Sequence, residues 1–227
     1  MSRHGRPAAS LPPHGEEVAL RTARGRSASS QRWLHRQLND PYVQAAKAQG
    51  WRSRAAFKLI ELDDRFRLIR RGARVVDLGA APGGWTQVAL RRGAGRVVAL
   101  DLVLIEPLPG VDLLAGDFAD PEMPGRLAAL LGGKADLVLS DMAPNASGHA
   151  ATDHVRIMAL AEAALDFAAG ALAEGGGFVA KVFQGGSERP MLARMKRAFR
   201  TVRHAKPSAS RKESSELYVV AQGFRGG

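Results

Sequence analysis

A strand followed by a glycine-rich turn is the first feature of this chain that could do chemistry. The apolar run Arg74–Leu78 predicts a buried parallel strand, and a Gly-Ala-Ala-Pro-Gly-Gly turn follows over residues 79–84. Glycine lets another molecule approach the backbone closely, so α/β proteins bind nucleotide-like ligands at such a turn. Asp77 precedes the turn, and Pro82 offers no amide donor to a phosphate. This favours a cationic nucleoside, S-adenosylmethionine, over a pyrophosphate; a turn without any ligand is the structural alternative.

Two further carboxylates end predicted strands. Asp101 lies 24 residues beyond Asp77, close to the interval at which an acidic residue accepts the ribose hydroxyls of a bound nucleoside. Asp117 follows the third predicted strand and could accept the adenine amino group. An aspartate at a strand end is also a common turn or capping residue, so the sequence leaves both interpretations open.

The fourth and fifth predicted strands bring an aspartate and a lysine, Asp141 and Lys181. Lys181 lies inside the fifth predicted strand, over residues 178–183, where an ammonium is costly unless it contacts carboxylates or has a chemical role. A strand-end lysine whose head reaches solvent is the alternative. Asp141 follows the fourth predicted strand, in the segment SDMAPN.

Six segments then carry a family resemblance. In order and spacing they resemble the FtsJ/RlmE family of ribosomal RNA ribose 2′-O-methyltransferases, over about residues 40–224. The segments are RSRAAFKL (52–59), VVDLGAAPGGW (75–85), GDF (116–118), SDMAPN (140–145), KVFQG (181–185) and ELYVVA (216–221).

The resemblance implies methyl transfer from S-adenosylmethionine to a ribose 2′-hydroxyl, without a metal ion. It implies a catalytic group of Lys58, Asp141, Lys181 and Glu216, with Lys181 as the principal residue and the two carboxylates holding the two ammonium groups. From the sequence alone, Lys58 could equally be an ordinary helix-surface lysine. The residues expected to bind the cofactor are Asp77, Gly79, Pro82, Gly83, Gly84, Trp85, Asp101, Asp117 and Asp141.

The resemblance also implies a substrate, a uridine in the A-loop of 23S ribosomal RNA within the large ribosomal subunit. Other branches of the family methylate tRNA anticodon loops with the same four residues, although a short chain without an added domain favours the ribosomal branch. A third hypothesis is an RNA-binding assembly factor without catalysis. The intact catalytic group argues against it, because a purely binding protein has no need of a buried lysine.

The charge distribution predicts a polyanionic partner. The net charge is +11, with 15 Lys+Arg against 6 Asp+Glu in residues 1–72 and 18 against 16 in residues 73–227. Lys and Arg displace condensed counterions from a phosphate backbone, although a solvated tail would share this composition. Interleaved aromatic and cationic residues suit an RNA surface, and the candidates are Lys47, Trp51, Arg52 and Arg54. Trp51 could equally be a core anchor.

The elements that position these residues predict an α/β fold. We expect a Rossmann-like methyltransferase domain over residues 31–227, with RNA-binding helices in 31–70 and a disordered basic arm in 1–30; the arm also shares features with a mitochondrial transit peptide. The sheet is expected to have seven mostly parallel strands with an antiparallel last strand, and helices on both faces. A helix over residues 154–173 should end at Gly175–Gly177, and residues 208–215 should form a mobile basic loop.

Composition excludes several other classes. The chain has no cysteine, which excludes disulfides, thiolate zinc sites, iron–sulfur chemistry and the cysteine nucleophile of carbon-5 pyrimidine methylation. It has neither a run of 18 apolar residues nor a secretion signal. We therefore expect a cytoplasmic monomer.

Overall fold

A computed structural model describes residues 27, 31, 34–35, 38–144, 147–184, 189–211 and 213–226 of the chain. The arm predicted over residues 1–30 lies outside the described residues except for Ser27, and its disorder stays a prediction.

Within these ranges, seven strands form one sheet in the order β3-β2-β1-β4-β5-β7-β6. Strands β1 to β5 run parallel to one another, and β7 runs antiparallel between β5 and β6. This confirms the predicted fold class. The strands are β1 Arg74–Leu78, β2 Arg96–Asp101, β3 Val111–Ala115, β4 Ala135–Ser140, β5 Leu172–Phe183, β6 Phe199–Ala205 and β7 Glu216–Phe224.

Helices cover both faces of the sheet, as the alternation of its buried side chains requires. Val75 and Leu137 pack on one face, whereas their chain neighbours Val76 and Val138 pack on the other. The first face carries α1 (Pro41–Ala48), α2 (Ala55–Phe66) and α3 (Gly84–Arg91). The second face carries α4 (Met123–Leu131), α5 (Ala150–Ala171) and α6 (Arg189–Ala198).

The fifth strand begins earlier than predicted. The sequence placed helix over residues 154–173 and strand only from residue 178, but α5 ends at Ala171 and β5 begins at Leu172. Leu172 pairs with Ala135 of β4, and the register shifts before Gly177 pairs with Leu137. Gly175, with φ of +79°, allows this irregularity. The glycines thus interrupt a strand instead of terminating a helix.

The turn after β1 needs glycine because another loop lies against it. The backbone N–H groups of Gly79 and Ala80 both donate to the carbonyl of Leu100, at 2.9 and 3.1 Å. Gly79 has φ of +77°, and a Cβ there would lie 2.7 Å from the backbone of Met142 in the loop after β4. The loops after β1, β2 and β4 therefore meet at one edge of the sheet.

A buried carboxyl lies below this edge. Asp77 is fully buried; its Oδ2 accepts a 2.7 Å hydrogen bond from the Thr86 hydroxyl, and its Oδ1 accepts none from the described residues. Burial raises the pKa of Asp77 to about 7; the hydrogen bond from Thr86 lowers it, and the nearby Asp141 and Asp101 raise it. The carboxyl therefore sits half-protonated near neutral pH in the free protein.

This buried carboxyl predicts a pH-dependent stability. Between its unfolded pKa of 3.8 and its folded pKa of about 7, the folded state keeps a proton that the unfolded state has released, so stability falls as pH rises through that window. Asp77→Asn should remove this fall and exceed the wild-type free energy of unfolding above pH 7 by on the order of 2–4 kcal/mol. Denaturant titrations at pH 5, 6, 7 and 8 measure it.

The exposed Asp120, whose Oδ1 caps the backbone N–H of Glu122 at 2.9 Å, supplies the control Asp120→Asn. A difference between Asp77→Asn and wild type that stays constant from pH 5 to 8 would contradict this account of Asp77.

Candidate active site

A cavity of about 390 Å³ lies at the carboxyl ends of the parallel strands. Its volume falls within the usual range for small-molecule sites, and its position is where open α/β sheets bind ligands. It is lined by Gly79, Ala81, Leu100, Asp101, Leu102, Gly116, Asp117, Phe118, Asp141, Met142, Ala143, Pro144 and Leu160. Four of the residues predicted to bind the cofactor are in this lining, namely Gly79, Asp101, Asp117 and Asp141.

The other predicted cofactor residues lie outside the lining. Asp77 is below the turn, and Pro82, Gly83 and Gly84 continue the turn into α3. Trp85 is buried, and its indole N–H donates to the carbonyl of Ala55 at 2.8 Å. None of these five residues lines the cavity, and their direct contact with a ligand stays a prediction.

Asp101 is held by its own loops. Its Oδ2 accepts from the N–H of Ala81 at 2.9 Å and its Oδ1 from the N–H of Val103 at 3.0 Å. A carboxylate has about four acceptor sites, so two remain for ligand hydroxyls. Asp117 is exposed and accepts from the N–H of Ala119 at 2.9 Å. Both residues therefore shape a turn, and both keep acceptor capacity in the cavity.

Beside the cavity lie two ion pairs that join the four predicted catalytic residues. The ammonium of Lys181 contacts Asp141 Oδ1 at 2.8 Å and donates to the Asp141 carbonyl at 2.9 Å. The ammonium of Lys58 contacts Glu216 Oε1 at 2.7 Å. All four side chains are at most 15% exposed. The cluster spans helix α2, the end of β4, strand β5 and the start of β7.

Tyr218 connects the two ion pairs, and the sequence analysis missed it. Its hydroxyl accepts from Lys58 Nζ at 3.2 Å, donates to Asp141 Oδ1 at 2.7 Å, and lies 3.3 Å from Glu216 Oε1. Tyr218 pairs directly with Lys181 across β5 and β7, so both side chains lie on one face. Glu216 and Tyr218 are two residues apart in β7, and residues at this spacing lie on the same face of a strand. This spacing could have predicted that Tyr218 lies beside Glu216 in the site.

The charges around Asp141 and Tyr218 shift the pKa values of these two groups in opposite directions. Burial alone would raise the pKa of Asp141, but the Lys181 and Lys58 ammonium groups, with hydrogen bonds from Lys181 and Tyr218, hold it below its usual value. Burial and the negative charges of Asp141 and Glu216 raise the pKa of Tyr218 well above its usual value. Asp141 is therefore ionised, and Tyr218 is a neutral donor at any working pH.

The first residues of the loop between β6 and β7 contact the site, and the mobility predicted for residues 208–215 stays a prediction. Glu61 of α2 accepts the backbone N–H groups of Ser208 and Ala209, at 2.5 and 3.0 Å. The Ser210 hydroxyl donates to Glu216 Oε1 at 2.8 Å, and Ala209 and Ser210 are buried. The loop therefore helps to hold Glu216 in place.

Two of the predicted RNA-binding residues use their donors inside the protein. The Arg52 guanidinium donates to the carbonyls of Pro82, Glu106 and Pro107, at 3.3, 2.7 and 3.0 Å. It thereby joins the turn after β1 to the loop after β2. Arg54 pairs with Asp40 at 2.8 Å and donates to the carbonyl of Ala209.

The other two predicted RNA-binding residues are more accessible. Lys47 is exposed in the last turn of α1. Trp51 is partly exposed, with the Arg91 guanidinium 3.9 Å from its ring centroid and its indole N–H on Gln49 Oε1. These contacts leave Lys47 and one side of Trp51 as the accessible part of the predicted surface.

Among the described residues, no group of three or more histidine, aspartate or glutamate side chains could hold a metal ion. None of the described helices is long and apolar enough to cross a membrane.

Known proteins share both the sequence and the fold. A sequence model of the FtsJ-like methyltransferase family matches residues 51–224. A Granulibacter bethesdensis protein named ribosomal RNA large subunit methyltransferase E is 71% identical over 213 residues, which cover 94% of this chain and 93% of that protein. A protein of the same name from Gluconobacter oxydans is 71% identical over 208 residues, covering 92% and 78%.

Among solved structures, a candidate ribosomal RNA methyltransferase from Plasmodium falciparum superposes with a TM-score of 0.70 at 27% identity, covering 78% of this chain and 100% of that one. The family match spans most of the chain and includes the two ion pairs and the cavity. The chain therefore belongs to the FtsJ-like methyltransferase family and is an enzyme.

Proposed function

We propose that this protein transfers a methyl group from S-adenosylmethionine to a ribose 2′-hydroxyl of large-subunit ribosomal RNA, at a uridine in the A-loop of 23S RNA. The observation that carries the proposal is the pair of lysine–carboxylate contacts next to a cavity of nucleoside size. The names of the Granulibacter and Gluconobacter relatives support the large subunit as the substrate.

The residues of the cavity fit the cofactor. Asp101 keeps acceptor sites for ribose hydroxyls, Asp117 can accept an amino group, and the close approach at Gly79 leaves the backbone accessible. S-adenosylmethionine supplies the methyl group on a sulfonium, which needs little further activation. The protein has to orient the 2′-hydroxyl and handle its proton.

Lys181 is suited to this work by its contacts. Two of its three ammonium donors bind the carboxylate and the carbonyl of Asp141, so one donor remains for the 2′-oxygen. As an ammonium it orients an oxygen lone pair toward the reacting carbon; as a neutral amine it accepts the hydroxyl proton. Asp141 holds Lys181 at the cavity wall, since it also lines the cavity.

Lys58, Glu216 and Tyr218 complete the site. The Lys58–Glu216 pair places a second positive charge near Asp141. The Tyr218 hydroxyl links the two pairs, because it accepts from Lys58 and donates to Asp141. Their role is to keep Asp141 ionised and Lys181 in position while RNA displaces water from the site.

The function is tested with isotopically labelled S-adenosylmethionine and two RNA substrates, large ribosomal subunits lacking the methyl group and bulk tRNA. We expect label in the large subunit, on ribose, so that the adjacent phosphodiester resists alkali; nucleoside mass spectrometry identifies the nucleotide. A methyl group on a base would overturn ribose methylation, and label found only in tRNA would assign the chain to the other branch of the family.

The cavity predicts a cofactor-binding variant. Asp101→Ala should weaken S-adenosylmethionine binding by about 1–3 kcal/mol, because ligand hydroxyls lose their acceptor, and Asp101→Asn should lose less because it keeps one acceptor oxygen. Calorimetry measures the dissociation constants, with Asp120→Asn as the control. Equal affinity of wild type and Asp101→Ala would remove Asp101 from the cofactor site.

The ion pair predicts a separation of binding from chemistry. Lys181→Ala should bind S-adenosylmethionine nearly normally but lose roughly 10²-fold or more in turnover, the scale of a positioned proton-transfer group. Lys181→Arg should not restore turnover, since a guanidinium stays protonated and has the wrong shape. Single-turnover rates and calorimetry measure the two effects. Full activity of Lys181→Ala would exclude the proposed role.

The bridging phenol predicts a shift in pH dependence. Tyr218→Phe removes a hydrogen bond that lowers the pKa of Asp141, so the acid limb of the kcat profile should move to higher pH. At pH 7 kcat should fall by roughly tenfold or more, because a hydrogen bond to a charged group is worth about 1.5–3 kcal/mol. Asp120→Asn is the control, because Asp120 is exposed and lies outside the cluster. A lower kcat with an unmoved acid limb would mean that Tyr218 only supports packing.

A further inference from the structure

A second basic segment lies within residues 73–227, although the net charge of that part of the chain is small. Residues 189–206 contain seven lysine and arginine residues and no aspartate or glutamate. The near-neutral sum of residues 73–227 concealed it, because acidic residues elsewhere in that part offset these cations. Every one of the seven is exposed: Arg189, Arg194, Lys196, Arg197, Arg200, Arg203 and Lys206.

The fold gathers these cations on one edge of the sheet. β6 is the last strand in the sheet order, paired only with β7 among the described strands, and α6 packs beside it. Met191 and Met195 bury one side of α6, so its charged residues face outward. We call the edge surface formed by the cations of α6 and β6 the β6 basic face; Arg203, which pairs with Val220, lies on its side toward the first face of the sheet, and α6 lies on its side toward the second.

This face reaches the active site. Ala205, at the carboxyl end of β6, pairs with Tyr218 of β7, and the Tyr218 hydroxyl donates to Asp141. Neighbouring strands are about 5 Å apart, and seven strand residues span roughly 20 Å. The β6 basic face therefore begins one strand away from the catalytic cluster and extends along the whole edge.

Most of the charge on the face is not neutralised within the protein. Arg194 pairs with Asp166 of α5, and Lys206 Nζ donates to the carbonyl of Ser214 at 2.6 Å. In the part of the chain that the structure describes, Lys196, Arg197, Arg200 and Arg203 form no ion pair. Neighbouring like charges repel one another, and a polyanion would relieve that repulsion by releasing its counterions.

We propose that the β6 basic face binds the phosphate backbone of the RNA that carries the target nucleotide. The inference rests on the proposed function and adds a second contact surface to it. Arg52 and Arg54 of the sequence-predicted surface use their donors on backbone carbonyls and Asp40. Of the four predicted residues, Lys47 is the cation that stays exposed, and the β6 basic face offers further cations that begin one strand away from the site.

A different reason for such charges exists. Exposed edge strands are often protected by charged side chains that prevent pairing with another chain. That explanation predicts self-association, not weaker RNA binding, when the charges are removed.

The test compares two double variants that each remove two exposed arginines. Arg200→Gln with Arg203→Gln changes the β6 basic face, and Arg71→Gln with Arg126→Gln changes surfaces away from it. The two double variants are matched in exposure and in local contacts. The aliphatic part of the Arg200 side chain lies against Gly223, and that of Arg71 lies against Gly93. Each protein is titrated with protein-free large-subunit ribosomal RNA and with intact large subunits at several salt concentrations. Methyl transfer, cofactor affinity and light scattering are measured in parallel.

We expect the face variant to bind the RNA roughly tenfold more weakly at about 0.1 M salt, with the slope of log K against log salt reduced by about 1–2. The control variant should stay within about twofold of wild type, and both variants should keep the wild-type affinity for S-adenosylmethionine. Methyl transfer by the face variant at saturating RNA should equal that of wild type.

Four results would overturn the inference. Equal RNA binding by the two variants, while wild type methylates the large subunit, would reject the β6 basic face and leave the proposed function standing. Self-association of the face variant with unchanged RNA affinity would assign the charges to edge protection. Weaker binding to the intact subunit alone would assign the face to an acidic ribosomal protein. If wild type transfers no methyl group to the large subunit, the proposed function itself fails and the inference with it.

Discussion

The contact between Lys181 and Asp141 is the constraint on which the site depends. An ammonium and a carboxylate that leave water lose several kcal/mol of solvation each, and only close pairing with further hydrogen bonds offsets that cost. Asp141 therefore needs the Tyr218 hydroxyl, and Tyr218 in turn lies between the first pair and the Lys58–Glu216 pair. Removing one member of either ion pair leaves a buried charge without its partner. The strand register of β4, β5 and β7, together with the position of α2, brings these side chains together.

The loops that form the cavity are held together by contacts with backbone groups more than by ion pairs. Gly79 allows the loops after β1 and β4 to touch, and Arg52 joins the turn after β1 to the loop after β2 through three carbonyls. These contacts fix where the cavity lies relative to Lys181. The Arg52 guanidinium therefore links the N-terminal helices to the loops around the cavity, and its N–H groups point toward the backbone of those loops.

The sequence predicted the parts of the fold that local pattern determines. Apolar runs identified most of the strands, whereas the sixth was predicted over residues 201–204 only as the partner of the last strand. A lysine within an apolar strand indicated Lys181. Lys58 and Glu216 followed only from family resemblance, because pairing over 158 residues of chain leaves no local pattern. Tyr218 escaped because a buried tyrosine in a strand usually signals packing, and the internal role of Arg52 escaped because composition does not say which partner a cation meets. The early start of β5 depended on its pairing with β4, which is tertiary information.

The central claim is that Lys181 and Asp141 act as one unit in methyl transfer. A double-mutant cycle with Lys181→Ala, Asp141→Ala and the combined variant tests it most directly, using single-turnover methylation of large ribosomal subunits at saturating S-adenosylmethionine. The account predicts that the combined variant is no slower than the slower single variant, since either change already disables the unit. Rate losses that multiply in the combined variant would show that the two residues act independently, and would contradict the account.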